Sequence, residues 1–409
     1  MNPVLIVFVL SYAGLALGSI PGYKLDRSGI ALLGGLAMMV ILQWDSHELA
    51  KALDFPTLFL LYGLMIISAQ FRLGGFYTWV ASKTLCLMDR PRIFLFWMML
   101  ASALLSALLA NDIVCLAFTP VLCRALSQSR IPPIPCLLGL ALSSNLGSAM
   151  TIVGNPQNML LGQSGQLDFL GFFLWCTPPA LLGLILAWAW LAPSLPKKIQ
   201  TELVITRLES SPLWPDLNRW QSLKAILSML LLIGLFLTDI PREYSTLGIA
   251  GFLLISRTIH SKELVGLVDW HLLSLFCGLF WIQAAIVEAG ILQSAMDSLL
   301  KLGLDMQNLY ILNTVSIVLS NIVSNVPAVM LLIPSLPEAT QNSVAWYSLA
   351  VSSTLAGNLI LIGSIANLIV VEQAKNLGIT ISFYDHAKVG IPTTLLTIFV
   401  FFLWLFIAG

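Results

Sequence analysis

Residues 143–158 read SSNLGSAMTIVGNPQN, and residues 352–367 read SSTLAGNLILIGSIAN. Aligned without a gap at a separation of 209, both open on a serine pair, place glycine at 154 and 363, and close on asparagine at 158 and 367. Each lies in a long apolar run, about 134–162 and about 345–371, so each reads as a membrane-spanning helix that breaks part-way. Glycine frees the backbone there, and Pro156 removes a donor. Irregular backbone at membrane depth survives only where protein buries it or a wet cavity takes it up. Breaks at 154–158 and 363–367 therefore point to a site.

The rest of the chain supports a membrane setting. Of 409 residues 58% are hydrophobic and 10% charged, against roughly 25% charged in soluble proteins, which excludes a soluble enzyme. Twenty basic and twenty acidic residues leave no net field to attract nucleic acid. Six cysteines lack disulfide or zinc spacing and read as packing residues. Further apolar runs lie at about 3–20, 28–43, 55–71, 169–193, 222–238, 244–257, 270–287 and 388–408. Two more, about 93–127 and 307–336, are interrupted at Asn111 and Asp112 and at 324–327. Each reads as a re-entrant hairpin. The expected fold is an all-α polytopic membrane protein with about ten transmembrane helices, two re-entrant hairpins and broken helices at the midplane.

Two copies of one unit are legible. DFPTLFLLYG (54–63) and DWHLLSLFCG (269–278) align at a separation of 215, and Leu105, Ser106, Asn111 and Pro120 fall on Leu319, Ser320, Asn325 and Pro334 at 214. The domains are then a first repeat over 1–195, a cytoplasmic linker over 196–221 and a second repeat over 222–409. Ten crossings with both termini outside place 17 of the 20 basic residues in the cytoplasm and leave Lys51, Arg242 and Lys301 outside. Five crossings per repeat invert the second copy, a common transporter plan.

Rival classes lack their residues. No Walker loop is present, so drive comes from an ion gradient or from a separate ATPase partner. His47 and Glu48 lack the second histidine of a zinc protease, and no cofactor or metal motif appears. Not an enzyme, then. An ion channel stays open as a different class, because re-entrant hairpins also build pores.

Ala110, Asn111 and Asp112, then Asn145, Leu146 and Gly147, then Thr151, Gly154, Asn155, Pro156 and Asn158, with Ser324, Asn325, Gly357, Asn358, Gly363, Ser364 and Asn367 in the second half, resemble the ion transporter superfamily. The likeness is closest to its ArsB/NhaD branch of arsenite and antimonite permeases and sodium/proton antiporters, with divalent anion/sodium symporters more distant. The resemblance implies a scaffold region and a transport region carrying both hairpins, in a bacterial inner membrane. It also allows a homodimer. Where those distant symporters carry Ser-Asn-Thr at each hairpin tip, this chain has Ala110-Asn111-Asp112 and Ser324-Asn325-Val326.

Asn111, Asp112, Asn145, Thr151, Gly154, Asn155, Asn158, Ser324, Asn325, Gly357, Asn358, Gly363, Ser364 and Asn367 are the expected substrate and ion site. Sodium could bind at Asn111, Asn158, Asn325 and Asn367, since asparagine is both donor and acceptor. Asp112 has three open roles: carrying a coupling proton, ligating sodium, or capping the returning helix. The function expected is secondary active transport of a small oxyanion or its neutral acid, arsenite-like or other, coupled to H+ or Na+. A Na+/H+ antiporter and a dicarboxylate/Na+ symporter are the alternatives. Asp54 and Asp269 are expected to be helix caps, and Glu288 either a pairing group or an interfacial one.

Overall fold

The computed structural model describes residues 2–18, 24–198 and 216–409. These form twenty α-helices and, among the described residues, no β-strand. The first ten are α1 (Pro3–Leu17), α2 (Arg27–Leu42), α3 (Ser46–Lys51), α4 (Phe55–Leu73), α5 (Phe76–Leu85), α6 (Pro91–Leu108), α7 (Asn111–Ser127), α8 (Pro133–Ser148), α9 (Pro156–Ser164) and α10 (Phe169–Leu191). The second ten are α11 (Arg219–Phe236), α12 (Arg242–Leu254), α13 (Ser261–Gly266), α14 (Trp270–Glu288), α15 (Ile291–Lys301), α16 (Leu309–Val323), α17 (Asn325–Leu332), α18 (Ser343–Ala356), α19 (Ile365–Asn376) and α20 (Phe383–Ala408). The first residues of α2, α3, α4 and α5 recur 215 positions later as the first residues of α12, α13, α14 and α15. Most of the 196–221 linker, residues 199–215, lies outside the described residues.

Six helices are long and apolar enough to cross a membrane by length and composition: Phe55–Leu73, Pro91–Leu108, Phe169–Ser194, Arg219–Phe236, Trp270–Glu288 and Phe383–Ala408. Others expected to span, α1, α2 and α12, are shorter at 15, 16 and 13 residues. Apolar side chains such as Leu10, Val40, Leu104, Leu174, Leu231 and Phe406 are exposed, the outer surface that a hydrocarbon solvent favours. Helix starts follow their sequence signals. Asp54 and Asp269 do cap α4 and α14, accepting from the N–H groups of Thr57 (3.2 Å) and Leu272 (2.9 Å). Glu288 is neither buried nor isolated: its carboxylate accepts from the Trp44 indole N–H at 2.9 Å.

The breaks sit earlier in the chain than expected. Between α8 and α9 the irregular stretch is 149–155, and Asn158 lies within a helix. Pro156 starts that helix instead of interrupting one, because its missing N–H costs nothing at the first helical position. Asn155 caps it, its side-chain oxygen accepting from the Asn158 N–H at 2.9 Å. The second break runs from Gly357 to Ser364 and includes a short 3-10 turn at Leu361–Gly363. At the second interrupted segment only Ser324 is irregular, and Pro327 belongs to the first turn of α17. Ser324 has φ 78° and ψ 161°, backbone that glycine tolerates and serine adopts at a cost of about 1–3 kcal/mol.

The two halves interlock at equivalent positions. A methyl group on Gly63 would meet Thr246 of α12 at 2.8 Å, and one on Gly278 would fall on the backbone of Ala31 in α2. Gly278 and Thr246 lie 215 positions after Gly63 and Ala31, so one close crossing is made twice.

Candidate functional site

Asn145, near the end of α8, joins both halves of the chain. Its amide nitrogen donates to Asn358 Oδ1 at 2.8 Å and, at 3.4 Å, to Asn367 Oδ1. Its amide oxygen accepts from Asn111 Nδ2 at 3.1 Å and from the Ser364 hydroxyl at 3.0 Å. All five side chains except Asn111 are at most 5% exposed, and Asn111 is 7% exposed. Ser364 holds the position in α19 that Asn155 holds in α9, yet it gives its hydroxyl to Asn145 and not to its own helix.

The breaks are stapled in one way. Asn158 Nδ2 donates to the carbonyls of Ser148 (3.1 Å) and Thr151 (2.9 Å). Asn367 Nδ2 donates to those of Gly357 (2.9 Å) and Ile360 (3.5 Å). In each case the partners lie ten and seven residues earlier, so a side-chain amide takes up the carbonyls that the helix end leaves open. The Thr151 hydroxyl bonds to the Ala107 carbonyl, and a side chain at Gly154 would fall on the Ser148 carbonyl. Asn155 donates to Thr354 at 3.1 Å, as does Gln157 at 3.2 Å.

A small cavity of about 50 Å³ opens beside this network, room for a few water-sized groups by the ~10–15 Å³ that one water needs. Of the expected site residues, Asn111, Asp112, Asn145, Asn155, Ser324, Asn325 and Ser364 line it. Thr151, Gly154, Asn158, Gly357, Asn358, Gly363 and Asn367 stand behind the wall and hold the breaks in shape. Asn158 and Asn367 lie outside the lining, and the Asn158 side-chain oxygen is buried without a donor among the described residues. Two polar lining residues went unnoticed in the sequence, Gln157 and Arg27. Gln157 was legible beside Pro156, whereas Arg27 read only as one of many loop cations.

The lining has a common feature. Arg27, Asn111, Pro156, Asn325 and Ile365 are the first residues of α2, α7, α9, α17 and α19, and all five line the cavity. Five helix N-termini thus meet at one space; those of α7, α17 and α19 have no side-chain cap and leave N–H groups and partial positive charge open, whereas Asp26 caps α2 and Asn155 caps α9.

A family model described as citrate transporter (CitMHS) matches residues 6–356. The chain belongs to the citrate transporter family. That family falls within the ion transporter superfamily, in agreement with the motifs, and makes this chain an integral membrane transporter of small solutes. The rice silicon efflux transporter LSI3 is 24% identical over 92% of either chain. The inner membrane protein YbiR of Escherichia coli is 28% identical over 88% of this chain and 90% of its own. A Dictyostelium discoideum protein, named provisionally as transporter arsB, is 24% identical over 97% of this chain and 89% of its own.

For this member of the citrate transporter family, Asn145→Ala is expected to cost about 2 kcal/mol, since it strands four buried polar partners at once. Thermal unfolding in detergent measures it. A shift no larger than that of an exposed alanine substitution would mean that the network adds nothing to stability.

Proposed function

We propose that the cavity is the transport site of a secondary active transporter for a small oxyanion or its neutral acid. The carrying observation is the meeting of five helix N-termini at one cavity with Asn111, Asn145, Asn325 and Ser364 in its wall, a setting that favours negative charge or oxygen-rich solutes. Asn111, Asn145, Asn325 and Ser364 replace the solute's hydration shell, and Asp112 takes the coupling ion, H+ or Na+. The 209-, 214- and 215-residue correspondences support two inverted repeats, 1–195 and 222–409. In that plan α6–α7 and α16–α17 are re-entrant hairpins, and about ten helices cross a bacterial inner membrane with both termini outside. Alternating access follows from two repeats that exchange conformations around a shared site. A homodimer is compatible with the exposed apolar surface.

Relatives named for silicon efflux and for arsB support an oxyanion or its neutral acid as the cargo class. A second reading, Na+/H+ antiport, is favoured by the side-chain oxygen of Asn325, which is buried without a donor among the described residues and belongs to a cavity residue. Proteoliposomes decide between them. Uptake of citrate, arsenite, antimonite, silicate, sulfate, phosphate or succinate should saturate and should follow an imposed H+ or Na+ gradient. Uptake that neither saturates nor follows a gradient would point to a channel, and proton release on sodium addition alone to the antiporter.

A further inference from the structure

Arg27 carries a charge that the surrounding protein leaves largely unmatched. It begins α2, is half-buried and lines the cavity, where Nη2 makes one long contact, 3.4 Å, to the Ile362 carbonyl. Its Nε and Nη1 are enclosed and have no hydrogen-bond partner among the described residues. Enclosed guanidinium nitrogens are costly without acceptors, and their fork matches two oxygens of an oxyanion.

The second half of the chain offers a comparison. Arg242, 215 positions on, begins α12, and its guanidinium donates to the Gly162 carbonyl at 3.0 Å and to the Leu167 carbonyl, with Asp168 and Glu243 nearby. The same residue at the same helix position is therefore satisfied by protein in one half and left open toward a cavity in the other. Among the described residues, two that line that cavity are charged, Arg27 and Asp112. With a proton or a sodium ion on Asp112, one positive charge remains, which matches one negative charge on a solute.

We propose that Arg27 is the anion-binding residue of this cavity and that it selects a singly charged oxyanion over the corresponding neutral acid. This rests on the cavity being the transport site. Sequence position explains why Arg27 faces the site: it is the first residue of α2, whose end the exposed Asp26 caps by accepting from the Gly29 N–H at 2.9 Å, and it stands beside the N-termini of α7, α9, α17 and α19.

Calorimetric titration of the detergent-purified protein tests this with two sets of probes. Hydrogen selenite, bicarbonate, nitrate and acetate are singly charged, whereas arsenous and silicic acids are neutral near pH 7. Arg27→Gln should weaken binding of the charged probe that the unaltered protein takes by roughly 10- to 100-fold, and Arg27→Lys should recover part of it. Neutral-acid affinity should stay within about twofold, as no charge is lost from that complex. An unchanged melting midpoint for Arg27→Lys without ligand shows that the fold persists. If Asn145→Ala abolishes anion binding while Arg27→Gln leaves it within twofold, the cavity is the site and the Arg27 assignment is wrong. Binding of neutral acids alone by the unaltered protein also overturns it. If no probe binds, or Asn145→Ala and Arg27→Gln both leave binding intact, the transport-site reading falls with it.

Discussion

Asp112→Asn should collapse gradient-driven accumulation while leaving exchange of solute across the membrane in place. At one-to-one coupling a tenfold gradient of the coupling ion sustains about tenfold accumulation, since each factor of ten is worth about 1.4 kcal/mol. The variant should bring that ratio to about one. Asp112 stands in the first turn of α7, half-buried, at the cavity wall, and is the only carboxylate among the described residues that line it. The matching position in the second half is Val326, 214 residues on, so the carboxylate is not part of the shared architecture of the two tips. If the group only complements the α7 dipole, the substitution removes about 0.3–1 kcal/mol of stability and spares accumulation. Accumulation and counterflow in proteoliposomes, read beside the melting midpoint, separate the two roles. Accumulation near ten in the variant would end the coupling assignment.

Gly278→Val should be among the most damaging substitutions away from the cavity. The added side chain would fall on the Ala31 backbone and the start of Leu32, where no rotamer change makes room, so α2 and α14 must part. Overpacking of this kind costs about 1–3 kcal/mol when side chains can yield, and the upper end is expected where the obstacle is backbone. Gly63→Val meets the equivalent crossing of α4 and α12, but its contacts there are longer, 2.8 Å to the Thr246 Cβ and 3.0 Å to the Thr246 backbone, so the cost should be smaller. Gly248 and Gly251 on α12 have open space around the added atom, and alanine there should be neutral or stabilise by up to about 1 kcal/mol. Thermal midpoints in one detergent rank the set. Equal losses at Gly278 and Gly248 would show that the close crossing does not limit stability.

Much of this was legible before any coordinates. Asp54 and Asp269 carry local start signals, and the helices begin after them because capping is decided within one turn of chain. The correspondences at 209, 214 and 215 located both interrupted segments and both broken helices. Reading Pro156 and Pro327 as part of the breaks placed those breaks a few residues too late, since proline at a helix start looks the same in sequence as proline in an interruption.

What the amino-acid order determined by itself is therefore the periodic and local part: apolar runs of membrane length, their caps, their interruptions and their repetition. Tertiary structure alone decided which of the fourteen expected site residues face a cavity. Asn145 and Asn158 are both buried asparagines beside the same break, yet the first joins Asn111, Asn358, Ser364 and Asn367 and the second staples its own chain. Arg27 and Arg242 are the same residue at the same helix position, and only the packing of the opposite half gives one its acceptors and leaves the other open. The reason is physical: an amide or a guanidinium can bond in many directions, and contacts across more than 200 residues of chain choose among them.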